Sequence, residues 1–316
     1  MSFAFLVHPL IPLQQRFLGV RRGHLPLAIG RSAGIEAVGH IGEIQLLNDT
    51  IGHIIALPGL PEDLASDQQR TLAHLISAAR MAETAGAKVI GLGSALAVVA
   101  GRGEALAEHI ALPVTTGHAS TAWTCAQITQ SAYQKSSEPR GPIGILGFRG
   151  TVGDAVAQML SREAPVWADA RGPADVRRAE QLGVRPVELS ELLRTCRWIV
   201  GASTTGPLLS ASQLRPGTHL IDLALPPTVR DAAPHIRVSA GEALFAPGLR
   251  SRSPWTALWL RFANYGKDCV FACLAEPAAM SLLGENDWSR GRRLTRSQVE
   301  RAGHALTELG FSPRVS

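Results

Sequence analysis

The chain has 316 residues, 46% of them apolar and 18% charged, and its 31 basic and 26 acidic residues give a net charge of +5. The apolar fraction is ample for a globular core and excludes a disordered chain. Four cysteines in so long a chain, none of them in a CxxC pair, exclude a disulfide scaffold. Of the basic residues 28 are arginines, and the three lysines are Lys88, Lys135 and Lys267.

The first apolar run, residues 3–7, is short and is followed by His8 and Pro9. A secretory leader has its basic residues before the apolar stretch, whereas here Arg21 and Arg22 come after it. No window reaches the roughly 18–20 apolar residues needed to span a membrane. We therefore expect a buried first strand and a soluble, cytoplasmic protein without a membrane span.

Strands and helices alternate through the first 140 residues, which predicts α/β units with parallel strand pairing. Apolar runs predict strands at 53–57, 88–92 and 112–115. Helical spacing of apolar residues predicts a long helix over 63–85, and a second helix opens at 117 and runs to about 133.

A polar linker, 136–142, precedes a second α/β series. Strands are predicted at 143–146, 165–168, 198–201 and 219–223, with helices over 154–160 and 173–182. From residue 255 the pattern is mostly helical. The predicted fold class is α/β, with an N-terminal α/β substrate domain (1–140), a Rossmann-type NAD(P)-binding domain (141–250) and a C-terminal helical segment (251–316).

A glycine-rich loop opens this second series. Gly147, Gly150 and Gly153 directly follow the strand at 143–146 and start a helix. Glycines there allow a tight turn and the close approach of a pyrophosphate, which the first amides of the helix, those of Thr151 and Val152 among them, would bind. The spacing is GxxGxxG rather than GxGxxG, and its strand–loop–helix context predicts dinucleotide binding.

The end of the second strand in such a unit contacts the adenosine ribose, where an acid favours NADH and an arginine favours NADPH. Both residue types occur here, as Asp169 and Arg171. Arg171 indicates NADPH, and Asp169 leaves NADH open. Ser203, after the strand at 198–201, is a candidate contact on the nicotinamide side.

Cys273 lies in the segment FACLAE, residues 271–276, amid small and apolar residues. Taken alone, a cysteine in such a setting more often fills a core than acts as a nucleophile. The segment resembles the phenylalanine-alanine-cysteine segment of the cyanobacterial long-chain acyl-(acyl-carrier-protein) reductases. TTGHASTAW (115–123), the glycine loop and the final LGFSP (309–313) are also similar to that family and follow in its order.

The resemblance implies that Cys273 is acylated by a fatty acyl thioester and that the acyl group is then reduced to an aldehyde with NADPH. It implies an acyl carrier protein or acyl-CoA as the donor and allows an aldehyde-consuming enzyme as a further partner. His118 stands where the family has another polar residue and is a candidate for acid/base help. Lys267, six residues before Cys273, is a candidate to favour the thiolate.

The last 31 residues hold six arginines against three acids, and so carry +3 of the net charge. Such a tail would attract an acidic carrier protein, although a solvated tail explains it equally well. No HxxxH or HExxH pattern occurs, so we expect no metal site. With only 5% aromatic residues, we also expect no nucleic-acid partner.

Two other interpretations stay open on the sequence. One is a shikimate-dehydrogenase-like NAD(P)-dependent oxidoreductase, which needs no cysteine nucleophile. The other is a non-enzymatic NAD(P)-binding regulator, which would bind the nucleotide without turnover.

Overall fold

The computed structural model describes residues 1–8, 38–47, 49–59, 61–137, 140–203, 209–224, 227–231, 233–254, 256–257 and 268–314. Lys267, a predicted catalytic residue, lies outside these ranges.

Strands and helices alternate along most of the described chain. The strands are β1 (Ser2–Val7), β2 (Gly39–Leu46), β3 (Thr50–Ala56), β4 (Ile90–Leu92), β5 (Val114–Thr115), β6 (Ile143–Leu146), β7 (Val166–Asp169), β8 (Arg185–Val187), β9 (Trp198–Gly201), β10 (Thr218–Asp222), β11 (Ile236–Ala240), β12 (Ala243–Phe245), β13 (Arg250–Ser251), β14 (Cys269–Phe271) and β15 (Ser312–Pro313). The helices are α1 (Pro61–Ser66), α2 (Gln68–Thr84), α3 (Ala95–Val99), α4 (Glu104–Ala107), α5 (His118–Lys135), α6 (Thr151–Leu160), α7 (Pro173–Gln181), α8 (Leu189–Thr195), α9 (Ala272–Leu283) and α10 (Arg296–Glu308), with a 3-10 turn at Ala211–Gln213.

The chain forms two compact units. Unit 1 comprises Met1–Ser120, Leu244–Gly291 and His304–Ser312, and unit 2 comprises Thr121–Ala243, Arg292–Gly303 and Pro313–Ser316. These bounds differ from the three-part division predicted from the sequence, because residues after 243 are shared between both units rather than forming a separate helical segment.

Unit 1 contains a six-stranded sheet in the order β13-β2-β3-β1-β4-β5. Strands β3, β1, β4 and β5 run parallel, and β2 and β13 extend the sheet in antiparallel fashion. Its core joins β1, β3 and β4 to the apolar face of α2, with Leu6, Ile55 and Leu75 fully buried. A smaller sheet has the order β14-β12-β15.

Helix α9 packs against the central strands of unit 1 although its sequence is distant from theirs. A Cβ on Gly91 in β4 would lie 2.6 Å from Pro277 Cγ, so glycine is what lets this helix approach the sheet. The helix continues through Pro277 instead of ending there.

The helix predicted over 63–85 is in fact two helices. Asp67 separates α1 from α2, and its side chain accepts a hydrogen bond of 2.9 Å from the Arg70 amide as the N-cap of α2. Aspartate at this position satisfies one of the amides that have no acceptor within the helix.

Unit 2 contains a six-stranded sheet in the order β11-β10-β9-β6-β7-β8, all of it parallel. Counted from β6 as the first strand, this order is 6-5-4-1-2-3, which is the order of dinucleotide-binding α/β folds. The predicted α/β class with a Rossmann-type sheet is therefore confirmed.

None of the helices in the described ranges combines the length and the apolar character needed to cross a bilayer.

Candidate functional site

The glycine loop of unit 2 connects β6 to α6, as the sequence predicted. Gly147 has φ +83°, a conformation that favours glycine. The Gly150 amide donates to the Gly147 carbonyl oxygen at 2.9 Å, which closes a tight turn. Gly150 is the N-cap of α6 and supplies no side chain to cap it. The loop therefore presents backbone rather than side chains at the start of the helix.

The loop after β9 lies directly against this turn. A Cβ on Gly147 would be 2.8 Å from the Ala202 carbonyl oxygen and 2.9 Å from the Ser203 amide. Strands β6 and β9 are parallel neighbours at the point where the strand order reverses. Ligands of open α/β sheets bind at the carboxyl ends of the strands at this switch point. The predicted residues Gly147 and Ser203 are thus brought together.

Close backbone packing also explains Gly153. A Cβ there would lie 2.9 Å from the Gly147 carbonyl carbon, so a larger residue would push α6 away from the loop. The amides of Thr151, Val152 and Gly153 belong to the first turn, where no preceding turn supplies acceptors. The Thr151 hydroxyl donates to the Arg292 carbonyl oxygen at 2.9 Å, which anchors the helix start. This cradle fits the pyrophosphate of a dinucleotide.

Asp169 ends β7, Arg171 follows it, and the two side chains have different environments. Asp169 is buried, and its Oδ1 accepts from the Gly147 amide at 3.2 Å while its Oδ2 lies 3.2 Å from the Arg171 guanidinium. Burial raises the pKa of this carboxyl group, and Arg171 and the loop amides oppose that shift. The Arg171 side chain is 58% exposed. The Asp169 carboxylate is therefore already hydrogen-bonded to the glycine loop, whereas the Arg171 guanidinium faces solvent.

Unit 1 contains a separate polar cluster around Glu276, which is fully buried in α9. The hydroxyls of Thr115 and Ser289 donate to its carboxylate, and the Ser120 amide donates to it at 2.7 Å. The Ser289 hydroxyl also accepts from the His118 amide at 3.1 Å. A carboxylate at the N-terminus of a helix is stabilised by the helix dipole. Glu276 thus caps α5 and fixes the segment 115–120.

Cys273 lies against this segment. A Cβ on Gly117 would be 2.5 Å from the Cys273 Cα and 2.8 Å from its carbonyl oxygen, so only glycine fits between them. In a regular helix the residue four positions on would donate to that oxygen, but Pro277 has no N–H to give. Cys273 stands in the first turn of α9 and is partly exposed.

His118, the predicted acid/base residue, follows Gly117 and begins α5. Burial lowers the pKa of its imidazole to about 4, and Arg102 lowers it further. Its Nδ1 is buried and makes no hydrogen bond to the part of the chain that the structure describes. The ring is therefore neutral at pH 7 and keeps a polar atom for another partner.

The remaining cysteines have environments unlike that of Cys273. Cys125, Cys196 and Cys269 are buried. Burial raises the pKa of Cys125 and that of Cys196 to about 12, so both remain thiols. Of the predicted catalytic residues, Cys273 and His118 occur in the same part of unit 1.

Sequence reasoning missed the central role of Glu276 and missed Ser289 altogether. These residues are more than 150 positions away from Thr115, and no local motif links them. Asp222 is the last residue of β10, and its carboxylate is already engaged by the following loop, because it accepts from the amides of Ala224 and Thr228 at 3.1 and 2.9 Å.

No family model matches the chain. A curated relative is the aminotransferase PigE of Serratia sp. (strain ATCC 39006), 24% identical over 275 residues, which are 82% of this chain and 32% of the relative. The chain thus spans about a third of the length of that relative.

Two solved structures align with nearly all of the chain. L-tryptophan dehydrogenase from Nostoc punctiforme is 13% identical, with 97% of this chain and 88% of that one covered and a TM-score of 0.41. Shikimate 5-dehydrogenase from Thermus thermophilus, in complex with NADP(H) and shikimate, is 18% identical, with 97% and 100% covered and a TM-score of 0.40.

These findings correct the resemblance drawn from the sequence. The chain was expected to be a divergent acyl-(acyl-carrier-protein) reductase, and that expectation is wrong, because the curated relative that matches it is an aminotransferase. The short segments around Cys273 and Thr115 carried the resemblance. In the structure these two segments pack on each other through the close contact of Gly117 with Cys273.

Proposed function

We propose that the chain is an NAD(P)-dependent oxidoreductase that binds its dinucleotide in unit 2 and acts without a covalent intermediate. One observation carries the proposal. The loop of Gly147, Gly150 and Gly153 follows the first strand of a 3-2-1-4-5-6 parallel sheet and adjoins the Ser203 loop at the switch point.

The pyrophosphate would bind to the first-turn amides of α6, those of Thr151, Val152 and Gly153. Gly153 lets α6 pack closely on the loop, Gly150 adds no side chain at the helix start, and the positive end of the α6 dipole attracts the negative charge. When bound, NAD(P)H supplies a hydride, or NAD(P)+ accepts one.

NADPH is the proposed cofactor rather than NADH. An acid that selects NADH must offer its carboxylate to a ribose hydroxyl, but Asp169 is buried and already engaged by the Gly147 amide and Arg171. The exposed Arg171 guanidinium suits a 2′-phosphate, because arginine binds phosphate through two parallel hydrogen bonds.

His118 would bind a substrate oxygen in unit 1. A neutral imidazole can donate a hydrogen bond to a carbonyl or accept one from a hydroxyl, and the lowered pKa of His118 keeps it neutral at physiological pH. Glu276 positions this histidine by holding the start of α5. Removing the imidazole in His118→Ala should lower turnover more than cofactor affinity.

The test is turnover of NADPH with a panel of small carbonyl compounds and keto acids, followed through the nicotinamide absorbance. Oxidation of NADPH that depends on one member of the panel supports the proposal. Tight binding of NADPH without turnover of any substrate would instead favour the non-enzymatic regulator.

A second candidate chemistry uses Cys273 as a nucleophile, and one observation favours it. Cys273 is partly exposed in the first turn of α9, where the helix dipole favours a negative charge, and it packs on Gly117 beside His118. Its thiolate would attack an acyl thioester, forming an S-acyl bond and releasing the carrier thiol. Reduction with one NAD(P)H and one proton would give the aldehyde, NAD(P)+ and the thiol again.

The two candidates differ in what Cys273→Ala should do. Covalent chemistry predicts loss of turnover and loss of a mass increase at this position after mixing with acyl thioesters, and the non-covalent proposal predicts that turnover is retained. Cys196→Ala is the matched control, since that thiol is buried in unit 2. An acidic carrier protein attracted by the C-terminal arginines would be the donor only in the covalent case.

A further inference from the structure

Three potential metal ligands meet on strands β2 and β3 of unit 1. These are His40, Glu43 and His53, and their ligand atoms all lie within 4.8 Å of one another. The imidazole rings of His40 and His53 are 5.5 Å apart between centroids. None of the three belongs to the cluster around Glu276.

A β-bulge brings these side chains to the same face of the sheet. Glu43 pairs directly with His53, and His40 pairs with Ile55. Because Ile55 lies two residues after His53 on β3, the side chains of His40, Glu43 and His53 are on one face of the sheet. Residues three apart on a regular strand point to opposite faces. The register shift between His40 and Gly42 inserts one residue, which turns His40 to the face of Glu43.

Glycine is required at the bulge. Gly42 has φ +144°, and a Cβ there would lie 2.8 Å from the Thr256 Cγ2. The bulge is also held from the neighbouring segment, because the Glu43 carbonyl oxygen accepts from the Arg252 amide at 3.0 Å and from the Thr256 hydroxyl at 2.8 Å. The strand conformation that aims His40 is therefore built into the fold.

The buried histidine has a polar atom that no group among the described residues satisfies by a hydrogen bond. His53 is 6% exposed, and its Nδ1 makes no hydrogen bond, although it lies 3.4 Å from Glu43 Oε1. Leaving a buried polar atom without a hydrogen bond is unfavourable, because the atom has lost its hydration. A cation held between this nitrogen and the carboxylate would satisfy both groups.

We propose that His40, Glu43 and His53 bind a divalent transition-metal ion of the zinc class. Two imidazoles and one carboxylate are a donor set that zinc accepts with a fourth position left for water. Ligand atoms around tetrahedral zinc are about 3.3 Å apart, so small side-chain rotations close the present spacing. Water reaches the fourth position because His40 is exposed and Glu43 is 34% exposed.

Arg252 positions the carboxylate for this role. Its guanidinium lies 3.8 Å from Glu43 Oε2, which leaves Oε1 on the side of His53. Groups behind the ligands of a metal site orient them in this way.

The test is a titration of the chelator-treated full chain with Co²⁺, monitored by visible absorption. Zn²⁺ is then added to displace the bound Co²⁺. We expect one equivalent to bind with the intense bands of four-coordinate cobalt. His40→Ala and Glu43→Gln should each weaken binding at least about tenfold. Both side chains reach solvent, so these variants test the site without disturbing the core strand that carries His53.

His304→Ala is the matched control. His304 and Glu308 form an exposed pair with the same 3.4 Å separation, without a third ligand within reach among the described residues. Binding should survive in this variant. Absence of stoichiometric Co²⁺ binding by the unmodified chain, or unchanged binding in both His40→Ala and Glu43→Gln, would overturn the proposal.

Discussion

The glycine loop of unit 2 and the Glu276 cluster of unit 1 are polar regions built by opposite means. The loop, residues 147–153, offers the first-turn amides of Thr151, Val152 and Gly153 and depends on missing side chains. The cluster depends on side chains from three distant segments around one buried carboxylate. A backbone site is therefore damaged by adding atoms, whereas the cluster is damaged by removing them.

The largest expected effect follows from removing the carboxylate of Glu276. Glu276→Ala leaves the hydroxyls of Thr115 and Ser289 and the Ser120 amide without their acceptor in a buried site. Each such loss costs about 1–3 kcal/mol, so the free energy of unfolding should fall by about 3 kcal/mol or more. Urea denaturation measures this change.

Glu83→Ala in the same unit is the control, because Glu83 is an exposed side chain of α2. Its free energy of unfolding should stay within about 0.5 kcal/mol of the original value. Equal stability of the two variants would show that the Glu276 cluster does not hold unit 1 together.

For the glycine loop, the corresponding test adds a side chain instead of removing one. Gly153→Val places a side chain against the Gly147 carbonyl group and displaces the first turn of α6. NADPH affinity should fall about a hundredfold, or about 2.7 kcal/mol, in a fluorescence titration. Gly141→Ala is the control, since a Cβ there meets no atom within 4 Å. Unchanged affinity in Gly153→Val would exclude this loop as the pyrophosphate site.

The smallest effect concerns His118. Its pKa is 6.5 in the unfolded chain and about 4 in the folded protein, so between these values the unfolded state binds more protons. The free energy of unfolding should therefore fall as pH drops from 7 to 5, by about 1 kcal/mol from this group once its partial exposure is allowed for. His118→Asn should flatten this dependence in urea denaturation series. Identical pH slopes in both proteins would contradict the burial of this imidazole.

The glycine-loop region of unit 2 could be predicted from the sequence, because residues close together in the chain form it. Strands β6 and β9 and the glycine loop follow from apolar runs and glycine spacing, and the loop after β9 was expected at the same sheet edge. The start of α5, by contrast, is capped by Ser289 and Glu276 from more than 150 residues away. No local pattern contains such a contact.

One further miss has an identifiable physical reason. The single helix expected over 63–85 ignored Asp67, whose preference for N-caps interrupts the apolar periodicity. The expectation of no metal site stays a prediction; it considered only spacings such as HxxxH, whereas His40 and Glu43 share a face because of the bulge next to Gly42. Bulges change which side chains share a face without leaving a periodic signal.

The most direct test of NADP(H) binding by unit 2 compares NADPH and NADH affinities in the unmodified chain, Arg171→Ala and Arg177→Ala. The account predicts that the unmodified chain prefers NADPH, and that Arg171→Ala lowers NADPH affinity about tenfold, or about 1.4 kcal/mol, with little change for NADH. Arg177→Ala, an exposed arginine on α7, should leave both affinities unchanged. Failure of the unmodified chain to bind either dinucleotide would contradict the account.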